Sequence, residues 1–277
     1  MILKILSKIR YLSRVRSRWI IGFLIVMAIW SYVFFIIEDV WQPFTLHPLP
    51  EIHPDLPGGL PGRVFPDRVF IHRINSLERV RYAADRYTGM EIDVMFDEER
   101  LCFDVHHPSS STIGLTLETL IDKLKNPRKH FFWLDFKNLT NTNQRAAVKE
   151  LLRIAVTFNI TQNIIVESSN AAMLGAFAEK GFYTSYYLPV IDPVFATTKE
   201  MEIHVKNIAS TLKKSKVHAI SANQRQYRWI KKYFTGYDLC FWNFSADPLA
   251  SALVEYKLMK DKNVKILMVE DKSPGYR

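Results

Sequence analysis

The stretch Val69 to Pro108 gathers the side chains of this chain most able to do chemistry together. Within it, Glu91 and Asp93 stand two apart in GMEIDVMF. A strand sends alternate residues to opposite faces, so the two carboxylates project together while Met90, Ile92 and Val94 face the other way. Paired hard oxygen donors of that kind suit Mg²⁺ or Ca²⁺. His72 follows the apolar run VFI, and His106 and His107 follow LCFDV, so three imidazoles are expected at strand ends beside the carboxylates. Histidines so placed can take and give protons at a reacting group.

These side chains need a scaffold that brings several strand ends together. From residue 68 onward, apolar β-like runs fall at 69–74, 89–96, 131–137, 163–168, 182–189, 218–223, 237–244 and 264–270. Amphipathic stretches with helical spacing lie between them, at 76–87, 141–158, 171–180, 198–215, 227–234 and 248–260. Such alternation implies parallel strands with crossover helices, and eight repeats predict a closed (β/α)8 TIM-type barrel over 68–277, with its chemistry at the strand ends. The run 101–107 is then an extra strand, hairpinned onto 89–96 across Asp97 to Arg100. A doubly wound open sheet is the alternative, but no Gly-rich phosphate loop follows the first run.

The order His-Arg, then Glu-x-Asp, then His resembles the glycerophosphodiester phosphodiesterase and phospholipase C-like superfamily, with its HR(G), ExD and H(D) motifs. The resemblance spans roughly residues 68 to 270 and is strongest in the first third. It implies that FFWLDFK supplies a third metal carboxylate, Asp135, and a phosphate-contacting lysine, Lys137. It also implies one divalent ion, Mg²⁺ or Ca²⁺, on Glu91, Asp93 and Asp135. Arg73 and Lys137 would add positive charge at the phosphate, and His72 would share acid-base work with His106 or His107. The gapless spacing from ExD selects His106, whereas counting back from LTLETL selects His107. LTLETL, LDFK and the run His72-Arg-Ile-Asn75-Ser76 are similar to the menorin group of that superfamily, which brings Asn75 into the substrate site. Two later residues join as candidates. Glu167, after IIV, could contact substrate hydroxyls or sit on a surface loop. Trp242 resembles the superfamily's late-strand tryptophan and could touch substrate or only pack. The sequence departs from the family at Ile74, where HRG has glycine, at His107, where the glycerophosphodiesterases have Asp, and in lacking the ENT triplet. Only 27 residues separate His107 from Asp135, too few for the inserted subdomain those enzymes carry there.

The formal net charge is +9, but Lys4, Lys8, Arg10, Arg14, Arg16 and Arg18 carry six of those charges, leaving +3 for the rest of the chain. A basic balance this local points to membrane orientation rather than nucleic acid, and no Arg-aromatic nucleic-acid motif stands out. Residues 19–37, WIIGFLIVMAIWSYVFFII, are uncharged and long enough to cross a bilayer as a helix. A cleaved signal peptide is the rival, but no A-x-A site follows. Residues 1–18 then form a basic cytoplasmic segment, 38–67 a Pro-rich linker holding seven of the 13 prolines, and 68–277 the barrel. Cys102 and Cys240 lie in apolar runs and read as buried free thiols, with a disulfide left open. KLKNPRK and the pair Lys231-Lys232 read as solvated helix faces.

The function these readings predict is a membrane-anchored phosphodiester hydrolase or lyase, single-pass in the cell's inner membrane and facing away from the cytoplasm, in the periplasm of a Gram-negative cell. Its substrate would be a phospholipid, a glycerophosphodiester, a lipid-linked glycan or another envelope phosphodiester. The alternative is a non-catalytic envelope protein that uses the barrel to bind a glycan, lipid or partner. A barrel glycosidase fits poorly, because it gives His72, His106 and Lys137 no role. Positive charge before residue 19 and Glu38 and Asp39 after the apolar run set the predicted topology. Protease added outside intact cells or spheroplasts is expected to digest the C-terminal domain. Its protection, while an exposed control protein is cut, would reverse the orientation.

Overall fold

The computed structural model describes residues 19–30, 63–192, 196–243 and 248–271. The chain divides into two compact units, Met1–Pro43 and Phe44–Arg277. In the first, helix α1 covers residues 19–30, and its apolar side chains, Trp19, Phe23 and Trp30 among them, are exposed. Residues 31–37 of the expected span, the basic segment 1–18 and linker residues 38–62 lie outside the described residues. Among the described residues, no helix is long and apolar enough to cross a membrane.

The second unit is the expected barrel. Its strands are β1 (Val69–Ile71), β2 (Gly89–Asp97), β3 (Cys102–Val105), β4 (Phe131–Phe136), β5 (Ile164–Ser168), β6 (Tyr183–Tyr187), β7 (Ala219–Asn223), β8 (Asp238–Asn243) and β9 (Val264–Val269). Eight of them are parallel, and β1 pairs with both β2 and β9, which closes the sheet. The helices between them are α2 (Leu77–Ala84), α3 (Leu117–Asp122), α4 (Gln144–Phe158), α5 (Ala171–Ala178), α6 (Thr198–Lys213), α7 (Tyr227–Tyr233) and α8 (Pro248–Lys260). The extra strand β3 runs antiparallel to β2 as a hairpin, with Val94 opposite Val105 and Asp97 opposite Cys102.

Local chemistry sets the element ends. The Ser76 hydroxyl accepts from the Arg79 N–H to start α2, and Thr197 with Glu200 forms a reciprocal cap on α6. β1 is shorter than the run 69–74, because Arg73 takes a left-handed φ of 55° that no strand tolerates. His72 and Arg73 therefore sit in the loop just past the strand. Gly89, opposite Phe70 across the β1–β2 seam, is obligatory: a Cβ there would come within 1.8 Å of the Phe70 ring. Arg79, fully buried on α2, donates to the His72 carbonyl at 3.0 Å and the Asp271 carbonyl at 2.9 Å, tying together the chain beyond β1 and β9.

Strand parity divides the core in two. Met90, Ile92 and Val94 pack outward with Phe132, Leu134 and Phe136 against the helices, as the alternation predicts. Inside the barrel, Phe65, Phe70, Trp133, Ile165, Tyr183, Ala219, Cys240, Trp242, Ile266 and Met268 form a separate apolar plug. Cys240 is buried and Cys102 half-buried, and both are free thiols, which rules out the disulfide.

His218 is buried beside this plug. Its Nδ1 accepts from the Thr184 N–H at 3.1 Å and lies 2.9 Å from Thr184 Oγ1, and its ring stacks on Tyr183. Burial lowers its pKa to about 4, and Arg63 adds to the effect. Unfolded histidine titrates near ~6.5, so the unfolded chain binds the extra proton first. The stability His218 contributes is complete above that value and is lost as pH falls toward 4. Thermal unfolding of His218→Asn is therefore expected to depend less steeply on pH through this window than that of the parent chain. Parallel slopes would show that His218 is not buried as the neutral ring.

Candidate functional site

The register of β2, β4 and β5 builds the site. Glu91 lies opposite Trp133, Asp93 opposite Asp135, and Asp135 opposite Glu167. Asp93, Asp135 and Glu167 thus form a row of carboxylates along the barrel mouth, with Glu91 a step deeper at the level of the Trp133 indole. One oxygen from each of Glu91, Asp93 and Asp135 lies within 4.8 Å of the others. Among the described residues this is the only group of three or more metal-ligating side chains so converged.

Each carboxylate is held differently. Glu91 is buried and accepts from the Arg73 backbone N–H at 2.7 Å, a contact made possible by the left-handed turn at Arg73. Burial first, then Asp93 and Asp135, raise its pKa well above the usual carboxylate range. Asp93 is equally shielded, but Lys137 Nζ at 2.9 Å and the Asn75 amide at 2.7 Å overcome the cost of burial and lower its pKa. Burial raises that of Asp135, and its contact with the same Lys137 ammonium offsets only part of the rise. Burial alone would lower the Lys137 pKa, but Asp135 and Asp93 raise it instead, so the ammonium stays charged.

His72, Arg73, His107, Lys137, Glu167, Tyr187, Trp242, Met268 and Glu270 complete a cleft of about 240 Å³ with the three carboxylates. His72 Nε2 is 3.8 Å from Glu91 and its Nδ1 4.0 Å from Glu270. Burial, reinforced by Arg73, depresses its pKa to about 3, so at neutral pH the ring is an unprotonated base. His107 Nδ1 meets the Ser109 N–H at 3.2 Å and Ser109 Oγ at 2.6 Å. Burial lowers its pKa as well.

The structure thus brings nearly all the sequence candidates to one mouth, with corrections. His107, which counting back from LTLETL selects, lines the cleft, and not His106, which the gapless ExD spacing selects; His106 turns its Nδ1 toward Asp104, 3.8 Å away. The turn after β3 decides this: Val105 packs into the outer core at the strand's end, and the chain then reverses at His107, whose carbonyl accepts from the Ser110 N–H at 2.9 Å. Asn75 does not face the cleft. It forms a closed pair with Asp93, amide to carboxylate at 2.7 Å and backbone N–H to amide oxygen at 3.0 Å, and so orients a candidate ligand. Glu167 is no surface-loop residue but is buried, with an Oε2 that has no hydrogen-bond partner; burial and Asp135 raise its pKa. Trp242 both packs in the plug and lines the cleft, stacked on Tyr187 at 5.0 Å.

Tyr187 and Glu270 were missed by sequence reasoning. Tyr187 ends β6 and Glu270 follows β9, and that strand-end position was the only available signal.

No protein-family model matches the chain, and no curated protein matches it in sequence. Among solved structures it is similar to a glycerophosphodiester phosphodiesterase from Parabacteroides distasonis, at 13% identity over 73% of this chain and 93% of that one, with a TM-score of 0.50. It is also similar to a protein assigned as a glycerophosphoryl diester phosphodiesterase from Silicibacter pomeroyi, at 15% identity over 77% and 92% of the two chains, TM-score 0.52. At these identities the likeness shows a shared barrel fold.

Three crowded carboxylates balanced by one lysine are expected to take up a divalent cation. Adding Mg²⁺ or Ca²⁺ at about 100 times its Kd should stabilise the fold by about 2.7 kcal/mol, read as a rise in Tm. Asp93→Asn or Asp135→Asn should abolish the rise. An equal rise in these variants would place the cation elsewhere.

Proposed function

We infer that this chain is a divalent-metal-dependent phosphodiesterase of the glycerophosphodiester phosphodiesterase and phospholipase C-like superfamily, a phosphoric diester hydrolase or cyclising lyase. The observation that carries this reading is the convergence of Glu91, Asp93 and Asp135 within 4.8 Å at a barrel mouth that also holds two histidines, Arg73 and Lys137. The similarity of the fold to glycerophosphodiester phosphodiesterases supports it. The runs HRINS, LTLETL and LDFK support placement in the menorin-like group.

The donor set fits a resident ion. It is all hard oxygen, and the pKa of Glu91 is raised by burial first and then by Asp93 and Asp135. Glu91, Asp93 and Asp135 would hold Mg²⁺ or Ca²⁺, which when bound supplies positive charge against a non-bridging phosphate oxygen. The remaining work falls to the chain itself. His72, neutral at physiological pH, takes the proton of the attacking hydroxyl, whether of water or of a neighbouring substrate group. His107, whose Nδ1 lies 2.6 Å from Ser109 Oγ, would as the imidazolium give its Nε2 proton to the leaving oxygen. Arg73 and Lys137 add fixed positive charge where charge builds at phosphorus. Tyr187, Trp242 and Met268 give the cleft an apolar wall suited to the organic part of the diester. Glu167, in the lining of the cleft, is the candidate to bond a substrate hydroxyl.

Anchoring through residues 19–37, with the barrel outside the cytoplasm, is part of this proposal and rests on the charge asymmetry and the exposed apolar surface of α1. It points to a phospholipid, glycerophosphodiester, lipid-linked glycan or envelope polymer as substrate, since tethering raises the effective concentration of such a target.

One observation favours a second reading. Lys137 bonds both Asp93 and Asp135, so an ammonium already serves as their cation, as it would in a barrel that only binds its ligand. Turnover of a panel of phosphodiesters by the full chain, with and without Mg²⁺ or Ca²⁺, separates the two. The enzyme reading expects His72→Ala and His107→Ala each to slow kcat by about 10²- to 10⁴-fold while leaving the cation-induced rise in Tm intact. His106→Ala is expected to have little effect. Slowing by His106→Ala in place of His107→Ala would overturn the assignment of the second histidine, and ligand binding without turnover of any diester would establish the binding barrel.

A further inference from the structure

The opposite end of the barrel carries a second concave site, unrelated to the mouth. A cleft of about 530 Å³ opens between the C-terminal end of α2, the residues leading into β2, and the segment from the end of α3 to β4. Its walls hold Arg81, Arg86, Lys123, Lys125 and Lys129 against a single carboxylate, Asp85. Three of these cations came from KLKNPRK, read from sequence as a solvated helix face. They do not share a helix: α3 ends at Asp122, Lys125 lies in the following loop, and Lys129 closes the 3-10 turn Pro127–Lys129.

The cations are not used up by the protein. Lys123 has a partner in Asp122 at 3.4 Å, and Arg86 lies over the Tyr82 ring while donating to the Tyr82 carbonyl. Arg81, Lys125 and Lys129 have no ion pair with a carboxylate among the described residues. Helix C-termini attract cations on this face of a barrel, which accounts for Arg81 in the last turn of α2. That attraction does not account for Lys125 and Lys129, which lie beyond α3, nor for their enclosure around one hollow. Two polar groups in the wall complete it. His130 is buried beneath the cleft with its Nδ1 toward the Tyr87 carbonyl at 3.3 Å. The buried Thr88 hydroxyl, on the wall beside it, has no hydrogen-bond partner.

We propose that this cleft binds a phosphate-bearing anion, a phosphomonoester or pyrophosphate group, through Arg81, Lys125 and Lys129. Clustered cations around a concave surface focus potential and select multiply charged ligands over monoanions. The same group could come from a soluble phosphorylated molecule or from an anionic lipid headgroup. The site stands whether or not the mouth cleaves phosphodiesters.

Titration calorimetry of the detergent-solubilised full chain with inorganic pyrophosphate tests it. The triple variant Arg81→Glu, Lys125→Glu, Lys129→Glu changes only exposed side chains and should weaken binding at least about tenfold. A control of equal charge, Lys199→Glu, Lys206→Glu, Lys213→Glu on α6, should bind as the parent does. Pyrophosphate binding that survives the first triple, or that falls equally in both, overturns the site. Competition then identifies the source. Displacement of pyrophosphate by micelles containing phosphatidic acid, but not by phosphatidylcholine alone, assigns a lipid headgroup, and displacement by neither assigns a soluble phosphate.

Discussion

Negative charge packed into a dry barrel mouth is the constraint on which the rest of this structure depends. Three carboxylates within a few ångströms, two of them closed off from water, repel one another at a dielectric far below that of bulk solvent. Such an arrangement survives only with compensation, and the chain supplies it from several elements. Lys137 comes from the end of β4, the Asn75 amide from the loop after β1, and the Arg73 N–H from a backbone turned into the left-handed region. Even so, burial and then the neighbouring Asp93 and Asp135 hold the pKa of Glu91 well above the usual carboxylate range. A site so crowded with carboxylates is poised for an added cation.

The fold answers the same constraint from below. The apolar plug of Phe70, Trp133, Ile165 and Ile266 keeps water from rising through the barrel, which concentrates the field of the few polar groups above it. Gly89 permits the plug by leaving room for the Phe70 ring at the closing seam. Arg79 secures the other side of β1, since its guanidinium holds the carbonyl of His72 itself and that of Asp271 beyond β9. The position of one candidate catalytic ring is therefore tied to barrel closure and not only to a flexible loop.

Much of this was legible in the chain, for a physical reason. Parallel barrels impose period-2 burial on strands and period-3.6 burial on helices, and both periods are written in side-chain type. The eight runs and the hairpin on β2 could therefore be placed within a few residues, and the facing of Glu91 and Asp93 followed from parity. What parity could not reach was the loops. His106 and His107 are adjacent in sequence, and which one faces the mouth depends on how the chain leaves β3, a property of the turn in which the Ser109 N–H donates to the His107 ring and the Ser110 N–H to its carbonyl. Asn75 looked like a substrate ligand because its type and place allow that, yet its amide finds Asp93 first. Glu167 looked like a loop residue because nothing local announces that a carboxylate at a strand end will be roofed by neighbours from other strands.

The same limit explains why the basic cleft was read as solvent-facing. Lys125 and Lys129 are spaced as on a helix, and a helix would have carried them into water. Pro127 prevents that: without an N–H and with a fixed φ it begins a 3-10 turn instead, and the turn folds the segment back toward Thr88 and the end of α2. Phe131 then enters β4 by donating to the Thr88 carbonyl at 2.7 Å, which fixes the two walls of the cleft relative to each other. One proline and one inter-strand hydrogen bond thus convert a run of like charges, which would repel and extend if solvated, into a concave surface whose repulsion is relieved by binding an anion.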